Sequence, residues 1–219
     1  MSQTLAGIDE LSTVADLLHH LGDVPAERIR LRPHPGTATE ADVVRINERK
    51  QGLVELVDGV LVEKAMGFYE SHLAMALGYL LQDFLKEHDL GIVVGADGMM
   101  RLAPGLVRLP DVAFLSWEKF PNREIPREPI PDLAPDLAVE VISQGNTPAE
   151  MNRKCGEYFD AGVRLVWYLY PKTRTMDVFT QEARETPVSE TISVDGGEVL
   201  PGFRLSLDEL FAAADRSGG

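Results

Sequence analysis

Residues 135–170 read PDLAVEVISQGNTPAEMNRKCGEYFDAGVRLVWYLY, and this stretch decides the fold. Leu137 to Ile142 is apolar except for one acid, Glu140, the pattern of a strand buried on both faces of a parallel or mixed sheet. Thr147 then offers a helix N-cap, with Pro148 at the first helical position and Glu150 as the capping-box partner. Gly162 closes the helix, and RLVWYLY follows as a second buried strand. Strand, helix, strand at this length predicts a right-handed crossover unit. The expected fold class is α/β (α+β), a mixed central sheet flanked by helices.

Glu140 breaks the apolar strand. A buried carboxylate is costly unless it is paired, hydrogen-bonded or bound to a metal. Arg153 and Arg164 are the candidate salt-bridge partners. The metal alternative has equally direct chemistry. Hard divalent cations take oxygen ligands, and Mg²⁺ commonly uses one or two carboxylates plus water and substrate phosphate. Asp111 is the natural second carboxylate, because it follows Pro110, which marks an edge strand or a bulge in the run LPDVAFLS. Such an ion polarises a phosphoryl oxygen and lowers the pKa of bound water. A lysine then orients or deprotonates that water, or stabilises developing charge.

Upstream, LVELVDGVLVEKA reads as a hairpin about Asp58-Gly59, the dipeptide of type I′ turns. A two-residue loop pairs Val57 with Val60 and Glu55 with Val62, so Glu55 shares a side with three valines. It is either a sheet-edge charge or a site residue. The segment 68–91 predicts the longest helix, with Leu73, Leu77, Leu80, Leu81 and Phe84 as its apolar stripe and Gly91 at its end. His72, beside that stripe, reads as a boundary histidine, with a role near the site as the alternative. Residues 91–116 predict short strands joined by glycine turns. The proline-rich loop 117–134 is long enough for a lid or binding loop.

Beyond Tyr170, strands are expected through Met176 to Phe179 and Val188 to Val194, then a short helix capped by Ser206 with Glu209. At the other end, residues 1–50 read as an N-terminal helical extension and connector. It has a helical spacing from Leu11 to Leu21 and a second short helix opened by Thr39 with Asp42. The remaining division is a domain over 51–214 and a flexible tail over 215–219. His19, His20 and His34 lack ligand spacing and read as solvated surface histidines.

Composition narrows the classes. The 219 residues, 44% hydrophobic and 26% charged, suffice for a buried core. One cysteine, Cys155, excludes an internal disulfide framework and a Cys-based zinc site, and reads as a small apolar helix residue. No apolar run of about 18 residues and no signal-peptide pattern is present, which predicts a soluble, cytoplasmic chain with no membrane partner. A net charge of −14 opposes nonspecific binding to a polyanion, unless a local basic patch or a divalent metal neutralises the site.

Together, Pro110-Asp111 and an acid in an apolar strand some tens of residues later resemble the PD-(D/E)xK nuclease superfamily. More closely, ELVDGVLVE, the helix with His72, LPDVAFLS, DLAVEVIS, the segment from Asn146 to Trp167 and LPGFRLSLDELF resemble, in order, the Uma-type family of restriction endonucleases. The likeness spans roughly residues 50 to 212. It implies a restriction-endonuclease-like fold, a Mg²⁺ cofactor for which Mn²⁺ can substitute and DNA as substrate, and the apolar hairpin and helix offer a face for the expected homodimer.

The chain departs from the superfamily pattern at residue 142. Glu140 and residue 142 share a strand face, so the motif lysine belongs there, yet the residue is Ile142. Lys154 is the best replacement, with a snorkelling boundary lysine as the other reading. Glu140 lies roughly 10 Å from the strand end at ~3.3 Å per residue. Lys154 lies roughly 9 Å down the returning helix at ~1.5 Å per residue, which brings both to one level. A lysine on this helix is also what the Uma-type resemblance implies, and the matching ELVDG segment makes Glu55 an accessory acid. The expected site is therefore Asp111 and Glu140 as metal ligands, joined by the Val141 carbonyl, with Lys154 at the water and Glu55 assisting. The alternative is a non-catalytic nucleic-acid-binding or regulatory protein on the same fold.

Overall fold

In the computed structural model, residues 8, 11–49, 52–183, 188–190 and 192–215 are described. Of the expected flexible tail at 215–219, residues 216–219 lie outside them, whereas Asp215 is held by Tyr69 and Arg174. The helices are α1 (Val14–His20), α2 (Glu40–Glu48), α3 (Phe68–His88), α4 (Pro148–Asp160) and α5 (Leu207–Ala214). The strands are β1 (Val54–Val57), β2 (Val60–Glu63), β3 (Gly91–Gly95), β4 (Met100–Ala103), β5 (Leu106–Arg108) and β6 (Val112–Ser116). They continue with β7 (Leu137–Val141), β8 (Leu165–Tyr170), β9 (Thr175–Thr180), β10 (Val188–Glu190), β11 (Ser193–Gly196) and β12 (Leu200–Ser206).

The crossover unit forms the centre. β7 and β8 pair in parallel, Leu137 against Leu165 through Val141 against Leu169, with α4 between them in the chain. They lie within a six-stranded sheet ordered β10-β9-β8-β7-β6-β3, whose other pairings are antiparallel. Alternation along β7 splits its side chains. Leu137, Val139 and Val141 face α3 and α5, packing with Leu73, Leu77, Leu81, Leu210 and Phe211. Ala138 faces α4, with Met151, Cys155 and Tyr158. Thr147 caps α4 by accepting the Glu150 amide at 3.0 Å, and Gly162 takes a left-handed conformation (φ +88°) just past its end. The expected reciprocal half of the capping box is replaced, because the Glu150 carboxylate turns to Arg28 instead.

A second sheet, β2-β1-β5-β4, holds the hairpin. Its register pairs Glu55 with Val62 and Val57 with Val60, and Asp58 and Gly59 both have positive φ, as a type I′ turn requires. Because β1 is an interior strand, Glu55 is not an edge charge. The short strands of 91–116 do not form one meander: β4 and β5 join this sheet, whereas β3 and β6 join the other. Pro110 stands where the chain crosses between them, a place that asks for no ladder N–H. There the bulge alternative holds: Asp111 donates its amide to the Val139 carbonyl while Val112 pairs with Val139, two residues against one.

Two boundaries differ from expectation. Asp89, with φ +32°, caps α3 in the left-handed region, and Gly91 instead opens β3, where a Cβ would lie 2.0 Å from the Leu115 carbonyl oxygen. The 117–134 loop is anchored rather than hanging free, through buried Phe120 and Ile130. In the N-terminal region, Val43 and Ile46 of α2 pack with Leu56 and Leu61, while Leu21 and Val24 pack with Val57, Val60 and Val62. His20 is not solvated: its side chain is 6% exposed and bonds Asp58 at 3.0 Å. No helix among the described residues is long and apolar enough to cross a membrane.

Candidate active site

The two sheets meet α4 at a cluster of buried charge. Glu55 comes from β1, Asp111 from the bulge before β6, Glu140 from β7 and Lys154 from α4, each at most 4% exposed. The Lys154 ammonium lies between two carboxylates, 3.1 Å from Glu55 Oε1 and 3.1 Å from Glu140 Oε1. Neither Arg153 nor Arg164 pairs with Glu140: Arg153 holds Asp58 and Glu157, and Arg164 holds Asp136. Ile142, on the face where the motif lysine was expected, packs against the α4 cluster.

Around these four stand groups that the sequence reading did not single out. Lys64, just beyond β2, puts its ammonium 2.8 Å from Asp111 Oδ1 and also donates to the carbonyls of Leu109 and, at 3.3 Å, Ala96. Arg108 donates to Glu55 Oε2 at 2.7 Å and to Glu157. The Tyr158 hydroxyl donates to Glu140 Oε1 at 2.6 Å. Strand alternation carries a signal for Lys64, since positions 60, 62 and 64 continue the side that Glu55 occupies. Tyr158 lies one helical turn from Lys154, which likewise sets them on one face. The Arg108 signal was a cation inside an apolar run.

Charge sharing separates the two glutamates. Burial pushes the Glu55 carboxyl up, but Lys154, then Arg108 and Lys64, outweigh it and hold its pKa at about 2. Burial also raises Glu140, with Asp111 and Glu55 adding to it, and the pull of Lys154 is insufficient. Lys154 can compensate one carboxylate fully, and Glu55 already has Arg108 and the Leu109 amide. Burial alone would lower Lys154, yet Glu140 and Glu55 raise its pKa, so it is a firmly protonated cation.

Asp111 is oriented by the Val141 amide, which donates to its Oδ2 at 2.6 Å. The Val141 backbone expected to offer a carbonyl thus also aims the carboxylate. Asp111 Oδ1 is buried against the Lys64 ammonium at 2.8 Å. Its charge acts on Glu140, and two carboxylates so placed suit a hard divalent cation. Three His, Cys, Asp or Glu side chains do not converge as a metal set among the described residues.

The mouth of the cluster is closed. Gly145, after β7, approaches the segment after β2 so nearly that a Cβ there would lie 3.0 Å from Ala65 Cβ. Arg28 clamps these edges, donating to the Glu63 carbonyl at 2.7 Å, the Gly145 carbonyl at 2.8 Å and both oxygens of Glu150 at 2.8 Å. His72 is elsewhere. It lies on α3, across the sheet from Glu140, and its Nε2 donates to the Ala214 carbonyl at 3.1 Å, tying α3 to α5.

The family model described as "Uma2: Putative restriction endonuclease" matches residues 40–208. Among solved structures, one titled as a "putative nuclease belonging to DUF820" from Anabaena variabilis matches with a TM-score of 0.66 at 17% identity. The match covers 75% of this chain and 92% of that one, and likeness at this identity carries the fold, a restriction-endonuclease-like α+β architecture. No curated protein matches significantly.

Proposed function

The chain belongs to the Uma2 family, and from that premise we propose that it is a divalent-metal-dependent endonuclease hydrolysing phosphodiester bonds of DNA. The observation that carries the reading is the convergence of Glu140 and Glu55 on one buried lysine, Lys154, with Asp111 beside them on Lys64, at the junction of the two sheets. Asp111 and Glu140 would hold Mg²⁺ or Mn²⁺. When bound, that ion supplies a Lewis acid for the phosphoryl oxygen and a lowered pKa for water.

The chain's own groups do the rest. Lys154 would orient or deprotonate the water, or stabilise developing negative charge. Glu55 keeps that ammonium in place and is itself fixed by Arg108 and the Leu109 amide. Charge bookkeeping supports an ion entering together with a phosphodiester. Glu55, Asp111, Glu140, Glu157 and Asp58 carry one more charge than Lys64, Lys154, Arg108 and Arg153, so a dication and one phosphodiester leave the connected cluster neutral. A phosphodiester reaches Asp111, Glu140 and Lys154 only when the cluster opens, because each is at most 4% exposed.

The test is cleavage of supercoiled plasmid DNA in Mg²⁺ or Mn²⁺ by wild-type protein, Asp111→Asn and Glu140→Gln. Wild-type cutting that both substitutions and a chelator abolish supports the reading. No cutting, or equal cutting by Asp111→Asn, refutes it. The closed, internally paired cluster favours a second reading, a non-catalytic nucleic-acid-binding protein. DNA binding with no divalent-metal heat in calorimetry would select that one.

A further inference from the structure

We propose that Lys64 is an internal counter-cation that guards the metal-facing oxygen of Asp111, is displaced when a divalent ion binds, and then holds the phosphodiester. The inference rests on the two-carboxylate metal reading above and concerns a residue outside the four expected in the site. Lys64 sits immediately after β2, with its side chain 2% exposed. Its ammonium lies among three oxygens: Asp111 Oδ1 at 2.8 Å, the Ala96 carbonyl at 3.3 Å and the Leu109 carbonyl. One carboxylate and two carbonyls are the donor types that a hard cation seeks.

The ammonium divides its contacts between two neutral carbonyls and the one charged oxygen, Asp111 Oδ1. A divalent ion can take over the charge at that oxygen while the two carbonyls still hold the lysine. A divalent ion at the same oxygen would repel the ammonium at close range, and the repulsion is strong in a buried site. The flexible lysine stem lets the charge leave, which a rigid guanidinium does less readily. Leu109 and Asp111 flank Pro110 in the crossing between sheets, so a freed ammonium stays beside the metal ligands, where a phosphodiester oxygen is its natural partner. Metal affinity is then low in the free protein and DNA affinity depends on Lys64, so the two respond to its removal with opposite signs.

Calorimetry with Mn²⁺ alone tests the first half, on wild-type protein, Lys64→Met, Lys64→Arg and Lys64→Met/Asp111→Asn. Lys64→Met is expected to bind Mn²⁺ at least about tenfold more tightly than wild type, because the ion no longer has to displace a buried ammonium. Lys64→Arg stays at or below the wild-type affinity, and the double variant loses binding. Fluorescence anisotropy with a short DNA duplex in Ca²⁺ tests the second half, where Lys64→Met is expected to bind DNA more weakly. Circular dichroism melts with and without Mn²⁺ show that Lys64→Met folds, with a larger Mn²⁺-induced rise in Tm than wild type. Equal or weaker Mn²⁺ binding by Lys64→Met, while wild type binds and Asp111→Asn does not, overturns the Lys64 role and leaves the metal reading standing. No Mn²⁺ binding by any of the proteins overturns both.

Discussion

Replacing Lys154 by methionine removes one ammonium from between two carboxylates and keeps most of the side-chain volume. Lys154 is 1% exposed, and its nitrogen lies 3.1 Å from both Glu55 and Glu140. Glu55 retains Arg108 and the Leu109 amide, so the loss falls on Glu140, left with the Tyr158 hydroxyl. Breaking a buried pair from one side costs about 3–5 kcal/mol. That is a large share of the roughly 5–15 kcal/mol that holds a domain folded. Urea unfolding at neutral pH in chelator reads the cost as a lower midpoint at unchanged slope. Adding Glu140→Gln removes the stranded charge, so the double variant should be more stable than Lys154→Met alone. The defect should also shrink as pH falls. The Glu140 pKa is already raised, so its contribution favours the folded state below the unfolded value of 4.5 and is lost as pH rises through the folded value. Without Lys154 the folded value rises further and the loss at neutral pH grows. A cost under about 1 kcal/mol, or an independent further loss from Glu140→Gln, would refute the shared-lysine account.

In wild-type protein the acid limb of stability carries a Glu55 contribution. Its pKa falls from 4.5 to about 2 on folding, so roughly 3 kcal/mol is present above 4.5 and lost as pH drops through about 2. Glu55→Gln should flatten that limb in urea midpoints taken across the range. Arg28→Ala leaves Glu150 buried with its main partner gone and should cost about 3–5 kcal/mol in thermal or urea unfolding. Arg28→Lys should recover little of this, because one ammonium cannot reproduce a bidentate pair plus two carbonyl bonds. His72→Ala should lose about 1 kcal/mol through the Ala214 hydrogen bond and leave the Mn²⁺ isotherm unchanged. An altered isotherm would tie His72 to the site after all.

Local chemistry in the chain carried much of this architecture. Thr147-Pro148 starts α4, Asp58-Gly59 turns the hairpin, and the apolar runs about Glu140 and Trp167 become adjacent parallel strands, each through interactions spanning a few residues. The same periodicities made Glu55 and Glu140 stand out, as charges where burial demands an explanation, while Asp111 came from its place after Pro110 and Lys154 from the departure at residue 142. What a charge is paired with is a different kind of fact. Arg28 meets Glu150 across 122 residues, and Arg108 meets Glu55 across 53. No spacing rule reaches that far.

Sequence by itself therefore determined the elements, the family and the presence of buried charge, because these follow from local propensity and from alternation between core and solvent. Tertiary structure alone decided that Pro110-Asp111 is a crossing between two sheets, that Lys154 is shared between Glu55 and Glu140, that His72 lies on the opposite face, and that Lys64 rather than solvent faces Asp111. The physical reason is that a buried charge is settled by whichever counter-charge the packing of distant strands brings within about 3–4 Å.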